Sequence, residues 1–424
     1  MSSTSGTTSA IARYAPWIVA ALALVALPHV FSSGSSITMM SLMGFAIIFA
    51  LSYNMLLGQT GMLSFGHAVY YGLGGFITAH ALNIIGAGKL PIPLPVLPLV
   101  GGLAGLSFAI IFGWVSTKRA GTAFAMISLG IGELVAACSL ILRGFFGGEG
   151  GVSTSRTSTL QLFGFSFGPQ IQVYYLIAAW CLACVAAMYA FTRTPMGRMC
   201  NAVRDNPERA EFVGYSTQMV RFIAFCTSGF FAGVAGGLAA IHYEIVTASV
   251  VGAAPSGFVL LMAYIGGVAF FIGPIIGAIL MTALQISLSD YTGAWQLYVG
   301  LMFVLMVMYA PLGLAGLLLM HRPLISAGVL SRLLPSYALA AVPALALFAG
   351  TVLVIETSHH LLVKASDGPA MRVFWVSYDA NSPVAWMVFA ALIVAGFLAF
   401  RRTWPVVSGA WHEATLEARR KLAK

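Results

Sequence analysis

The sequence predicts an all-α fold: a polytopic integral-membrane helical bundle of about twelve spans, with both termini cytoplasmic. Composition is the first observation. Hydrophobic residues fill 59% of the 424 positions and charged residues 8%, where a soluble domain carries about 25% charged residues. That balance excludes a water-soluble core. The second observation is the length of the stretches free of Asp, Glu, Lys and Arg: 75 residues over 14–88, 36 over 157–192, 22 over 222–243 and 45 over 245–289. Each such residue at a bilayer centre costs roughly 2.5–3.5 kcal/mol on insertion scales, so a span needs stretches of this kind. The third is the positive charge, which concentrates in alternate connecting segments.

Residues 1–14 are Ser/Thr-rich, with Arg13 as their one charge, and read as a cytoplasmic N-terminal segment. Residues 15–31 form a short apolar run, the length of a signal-peptide core or of a first span. A second apolar run begins at Ile37 with no clear small-residue cleavage site before it, which favours the span. Residues 37–57, 58–80 and 91–116 supply the next three, the last closed by Lys118 and Arg119. The fifth span, 121–142, is interrupted by Glu133, and a Gly- and Ser-rich loop over 143–169 leads into the sixth, 171–191. The longest polar interruption follows, 192–221, with Arg193, Arg198, Arg204, Arg209, Arg221, Asp205, Glu208 and Glu211. Residues 220–243 make the seventh span. The next uncharged stretch holds two short spans hinged near Gly273 and Pro274, one of which also fits a re-entrant segment buried within protein. Residues 297–319 complete ten.

The chain thus divides into a core over 15–320, a further two-span hairpin within 321–400 (336–355 and 384–400), and a basic tail over 401–424. The tail reads either as an amphipathic helix on anionic lipid or as a solvated positive-inside segment. With the N-terminus inside, 16 of the 21 Lys and Arg fall on the cytoplasmic side; Lys89, Arg143, Arg156, Lys364 and Arg372 are the exceptions. The net charge of +9 is therefore spread between spans and marks no nucleic-acid surface. Cys181 and Cys184 form a CxxC inside an apolar run with no second Cys or His pair nearby, which points to packing, with no metal or redox site.

Three glycine-rich stretches and one carboxylate stand out. Residues 58–76 set Gln59, Ser64 and His67 among six glycines. Glycine at that density permits close helix approach or breaks a helix so that its peptide groups line a cavity. Both readings stay open, and Gln59, Ser64 and His67 are candidate pathway residues. Gly229, Gly233 and Gly237 recur every fourth residue, as do Gly273 and Gly277, and are read as helix-packing positions. Glu133 is the one acidic residue well inside a predicted span. It is protonated, paired or turned to water, and serves either the pathway or the structure. In the polar loop, Asp205 is expected to cap a short helix opened by Pro207 and stopped by Gly214.

Taken together, LSYNMLLGQTGMLSFGHAVYYGLGGF, AFAMISLGIGELV with GGEGGVS after it, GRMCNAVRDNPERAEFVGYS, LLMAYIGGVAFFIGPIIGAIL and YAPLGLAGLL resemble the permease family of branched-chain amino acid ABC importers, on the LivM-like side of its usual permease pair. The likeness runs over 37–319. It implies that 15–320 is a permease domain and that Gly197, Arg198, Arg204, Asp205, Asn206, Pro207, Glu208, Ala210 and Gly214 belong to the loop that docks on an ATPase. It also implies a LivH-like second permease, two ABC ATPase subunits holding ATP and Mg, a periplasmic binding protein, and residence in a bacterial inner membrane. Arg209 departs from the general importer loop, which prefers Ala there. The hairpin and tail lie outside the family pattern. Related importers carry urea, short amides and aromatic acids, so the resemblance leaves the solute open.

The chain has no Gly-x-x-x-x-Gly-Lys-Ser/Thr loop, since Leu90 follows Gly88 and Lys89. No nucleophile and base pair shares a helical face. The expectation is a non-enzymatic transport subunit that binds no cofactor itself. The rival class is a secondary transporter driven by an ion gradient, for which Glu133 is the one obvious titratable candidate.

Overall fold

The computed structural model describes residues 4–89, 91–158, 166–363 and 368–422, with side chains from residue 15 onward. Residues 1–3, the Arg13 side chain, Lys364 and Lys424 lie outside the described set. Sixteen α-helices carry the described chain: α1 (Thr4–Val30), α2 (Gly34–Thr60), α3 (Ala68–Gly86), α4 (Leu97–Ser116), α5 (Thr122–Ile141), α6 (Arg143–Phe146), α7 (Gln170–Arg193), α8 (Pro195–Asp205), α9 (Pro207–Phe212), α10 (Thr217–Tyr243), α11 (Ala253–Gly266), α12 (Gly273–Tyr291), α13 (Trp295–Tyr309), α14 (Gly313–Ser326), α15 (Leu334–Val363) and α16 (Pro383–Leu422). Two small antiparallel pairs accompany them, β1 (Val152–Ser153) with β2 (Ile245–Val246), and β3 (Ala370–Val373) with β4 (Val376–Asp379).

Among the described residues nine helices are long and apolar enough to cross a membrane, or ten if the pair α13 and α14, bent by 47°, is one span. The polytopic helical bundle is as expected, and the count is where it differs. The predicted first span and the predicted span before the Gly273 hinge are short apolar helices, Ala15–Val30 and Ala253–Gly266. The second is cut off because Gly267 takes φ +109°. The predicted third span starts later than Gly58: α2 continues to Thr60, Gly61 turns it off at φ +69°, and α3 begins only at Ala68. Helix α16 runs unbroken from Pro383 to Leu422, through the last predicted span and into the basic residues of the tail.

The chain forms two compact units, Met1–Ala283 with Pro311–Leu314, and Leu284–Ala310 with Ala315–Lys424. In the first, α10 is the most enclosed helix, packed by α2, α3 and α4. Its glycines permit this. A Cβ at Gly237 would lie 2.8 Å from Thr78 Oγ1, one at Gly229 would lie 3.1 Å from the Gly105 carbonyl, and one at Gly233 would fall on the Gly101 carbonyl. Gly273 and Gly277 play the same part against Gly267 and Met262. Backbones meeting this closely gain dispersion contacts that lipid-facing side chains would forgo.

In the second unit α15 and α16 run side by side, drawn together at Gly350 and Gly396. Glu356 on α15 accepts hydrogen bonds from Tyr298 Oη (2.7 Å) and Thr292 Oγ1 (3.0 Å), which ties the segment around α13 to the C-terminal helices. Ala414 and Ala418 of α16 are buried against Leu324, Val329 and Leu333, and Arg332 pairs with Glu417.

Candidate functional site

The polar segment between α7 and α10 is a built structure. Thr194 caps α8 by accepting from the Gly197 amide (3.1 Å), with Pro195 at the first helical position. Asn206 caps α9 by accepting from the Arg209 amide (2.9 Å), with Pro207 next. This corrects the expected cap at Asp205: Asp205 is still the last residue of α8, and its carboxylate accepts from Arg204 Nε at 2.9 Å. Gly214, at φ +94°, ends α9, with the Tyr215 amide reaching back to the Ala210 carbonyl (3.1 Å). Ala210 is buried with Cys200, Val203, Val220 and Ala224, so α8 and α9 sit on the start of α10 through a small apolar core. Burial pushes the Cys200 thiol up to about 12. Thr217 Oγ1 donates to Glu211 (2.7 Å) and fastens the far end.

The surface left outside that core is mixed. Phe212 is 90% exposed and Val213 69%, with Tyr215 and Met219 beside them in sequence and also exposed. Arg198, Arg204, Asp205, Glu208 and Arg209 are exposed as well.

The second element is the break between α2 and α3. Three serines from different helices hold it: Ser128 of α5 accepts from the Phe65 amide (3.0 Å), Ser256 of α11 accepts from the Ala68 amide (3.0 Å), and Ser52 of α2 lies 2.9 Å from His67 Nε2. His67 is fully buried and stacked on Phe49. Of the buried side-chain polar atoms without a hydrogen-bond partner among the described residues, five belong to this region: Tyr53 Oη, Asn54 Oδ1, Gln59 Oε1, Ser64 Oγ and His67 Nδ1. A buried polar atom without a partner costs about 1–3 kcal/mol, so such a concentration marks a place kept polar.

Arg204 joins the two elements. Its guanidinium donates to the Gly58 carbonyl near the end of α2, and its side-chain methylenes lie against Gly61, where a Cβ would come within 3.0 Å of Arg204 Cγ. The predicted pathway residues Gln59, Ser64 and His67 are thus in one region, and Arg204 connects the polar loop to it. Glu133 stands apart. Gly132 packs on Gly66 of the break, but Glu133 itself lies on the outer surface of α5.

Sequence reasoning missed Tyr53, Asn54, the three bracing serines and Arg156. The last is largely buried, faces Glu244 at 3.7 Å, and donates to the carbonyls of Phe167, His242 and Gly168, beside the β1–β2 pair. Serines have no spacing signature, but Glu244, the single charge between the uncharged stretches 222–243 and 245–289, was a usable signal.

The family model of the branched-chain amino acid transport system / permease component matches residues 35–312. The chain belongs to that family. It is 28% identical over 329 residues to the high-affinity branched-chain amino acid transport system permease protein LivM of Escherichia coli (strain K12), covering 72% of this chain and 75% of that one. LivM of Salmonella typhimurium (strain LT2) is likewise 28% identical over 320 residues, 70% of this chain and 73% of its own. The probable branched-chain amino acid transport permease protein LivH of Methanocaldococcus jannaschii is 25% identical over 214 residues, 48% of this chain and 64% of its own. No solved structure matches the chain. With its apolar helices, this permease-family chain is a multi-pass membrane protein.

Proposed function

We propose that this chain is the transmembrane permease subunit of an ATP-binding-cassette importer in a bacterial inner membrane, moving branched-chain amino acids or related small solutes such as urea, short amides or aromatic acids. Separate ATPase subunits hold the ATP and Mg, and a LivH-like permease and a periplasmic binding protein complete the assembly. The observation that carries this reading is the α8–α9 element. It is capped at both ends, seated on its own core, and presents Phe212 and Val213 among charges. An apolar knob rimmed by charge is what a soluble groove grips, and its rigidity lets it move as one body.

Arg204 then gives the movement a route to the α2–α3 break, where unpartnered polar atoms suit a solute or its water. Glu133 fits the same reading. A carboxylate on the surface of a spanning helix costs roughly 2.5–3.5 kcal/mol against lipid, so it faces the second permease or the pathway.

The test is purification in mild detergent with every co-purifying protein identified, for the natural chain and for Phe212→Asp. Recovery of ATPase subunits with the first and their loss from a still-folded second supports the reading. Recovery of the chain alone, with uptake that collapses when the proton or sodium gradient is removed, overturns it.

A further inference from the structure

The β3–β4 hairpin lies beyond the residues the family model matches, and its turn has an unusual composition. Phe374 and Trp375 join the strands with φ of 49° and 64°. Two-residue turns with both φ positive favour Asn-Gly. A non-glycine residue held there costs of order 1–3 kcal/mol, and strain of that kind concentrates where a side chain has a task.

The register shows which way the hairpin faces. Met371 pairs with Tyr378 and Val373 with Val376, which puts these four on one face, while Arg372, Ser377 and Asp379 occupy the other. The apolar face is turned to the helix pair: Tyr378 Oη is 2.8 Å from Thr357 Oγ1, and its ring stands edge-on to Phe389 at 5.4 Å. Thr357 lies six residues before the end of α15 and Phe389 six after the start of α16. At 1.5 Å per residue these contacts are about 9 Å inside the helix ends. The base of the hairpin is therefore folded down along the spans. Toward the tip that face is bare at Val376, 62% exposed, and the turn residues Phe374 and Trp375 are 46% and 85% exposed.

We propose that this tip is a bilayer anchor, with Phe374, Trp375 and Val376 seated at the headgroup–acyl boundary of the leaflet at that end of α15 and α16. The face that packs down onto residues within the spans is the face directed at the membrane. Where the helices stop covering it, lipid is opposite. An indole has an apolar body and a polar N–H, which suits this boundary, and Arg372, Ser377 and Asp379 stay in water.

The test uses the full chain in lipid vesicles with Cys138, the one cysteine not fully buried, replaced by Ser. An environment-sensitive nitrobenzoxadiazole label is placed by Trp375→Cys, or by Ser377→Cys on the polar face as internal reference. The anchor predicts strong quenching at 375 by lipids carrying a nitroxide near the glycerol, and severalfold less quenching by aqueous iodide than at 377. Equal iodide access at both positions overturns it, and so does protection from iodide without nitroxide quenching, the sign of a protein partner. The double variant F374N/W375G suits the turn and keeps the hairpin; a label at Val376→Cys should then lose its lipid quenching. Retained quenching there removes the two aromatic residues from the anchor.

Discussion

At the scale of single residues, Arg204 is the side chain whose loss should separate two activities. Hydrogen bonds to charged groups contribute about 1.5–3 kcal/mol, and with its side chain 36% exposed the lower end applies. Arg204→Gln should leave docking and ATP hydrolysis largely in place and reduce solute moved per ATP severalfold in reconstituted vesicles. Arg204→Lys should restore part of it. Cys200 offers a chemical check on the core beneath α8. The thiolate is the reactive form, and burial pushes this thiol up to about 12, so it stays protonated through neutral pH. Mass spectrometry after alkylation of the folded protein at pH 8 should find Cys138 modified well before Cys200. The residue-level reading was right about Gly214 as a stop and wrong about the cap. Asp205, Asn206 and Pro207 offer two capping side chains in a row, and only the backbone register chooses Asn206.

At the scale of elements, glycine spacing foretold contact but gave no partner. The pattern at Gly229, Gly233 and Gly237 is visible in one helix, whereas the helix that meets it brings Gly101 and Gly105, which no spacing rule joins to α10. Gly233→Ala would drive a methyl into the Gly101 carbonyl and should lower stability by about 1–3 kcal/mol, read as a drop in thermal unfolding temperature in detergent. Gly130→Ala on α5, with nothing within 4 Å, should leave that temperature unchanged or raise it. Span positions were legible because hydrocarbon imposes them. The break at 61–67 was legible only as an excess of glycine, because the serines that brace it come from α2, α5 and α11.

At the scale of the whole molecule, composition alone was enough for the helical membrane class, and the ordered motifs were enough for the family. How the chain divides was hidden. The family match ends at residue 312, yet Leu284–Ala310 groups with the C-terminal helices. Within that second unit Glu356, which the sequence places just past the end of a shorter span and which α15 carries inside its helix, accepts hydrogen bonds from Thr292 and Tyr298. Glu356→Ala leaves Tyr298 and Thr292 without their acceptor and should cost about 1–3 kcal/mol, measured as lowered thermal stability with unchanged stability of the α8–α9 contacts by hydrogen exchange. The same carboxylate bears on anyone who would transplant these helices. Moved by themselves, α15 and α16 leave Thr292 and Tyr298 behind; a working graft needs a recipient with threonine and tyrosine hydroxyls at those two places.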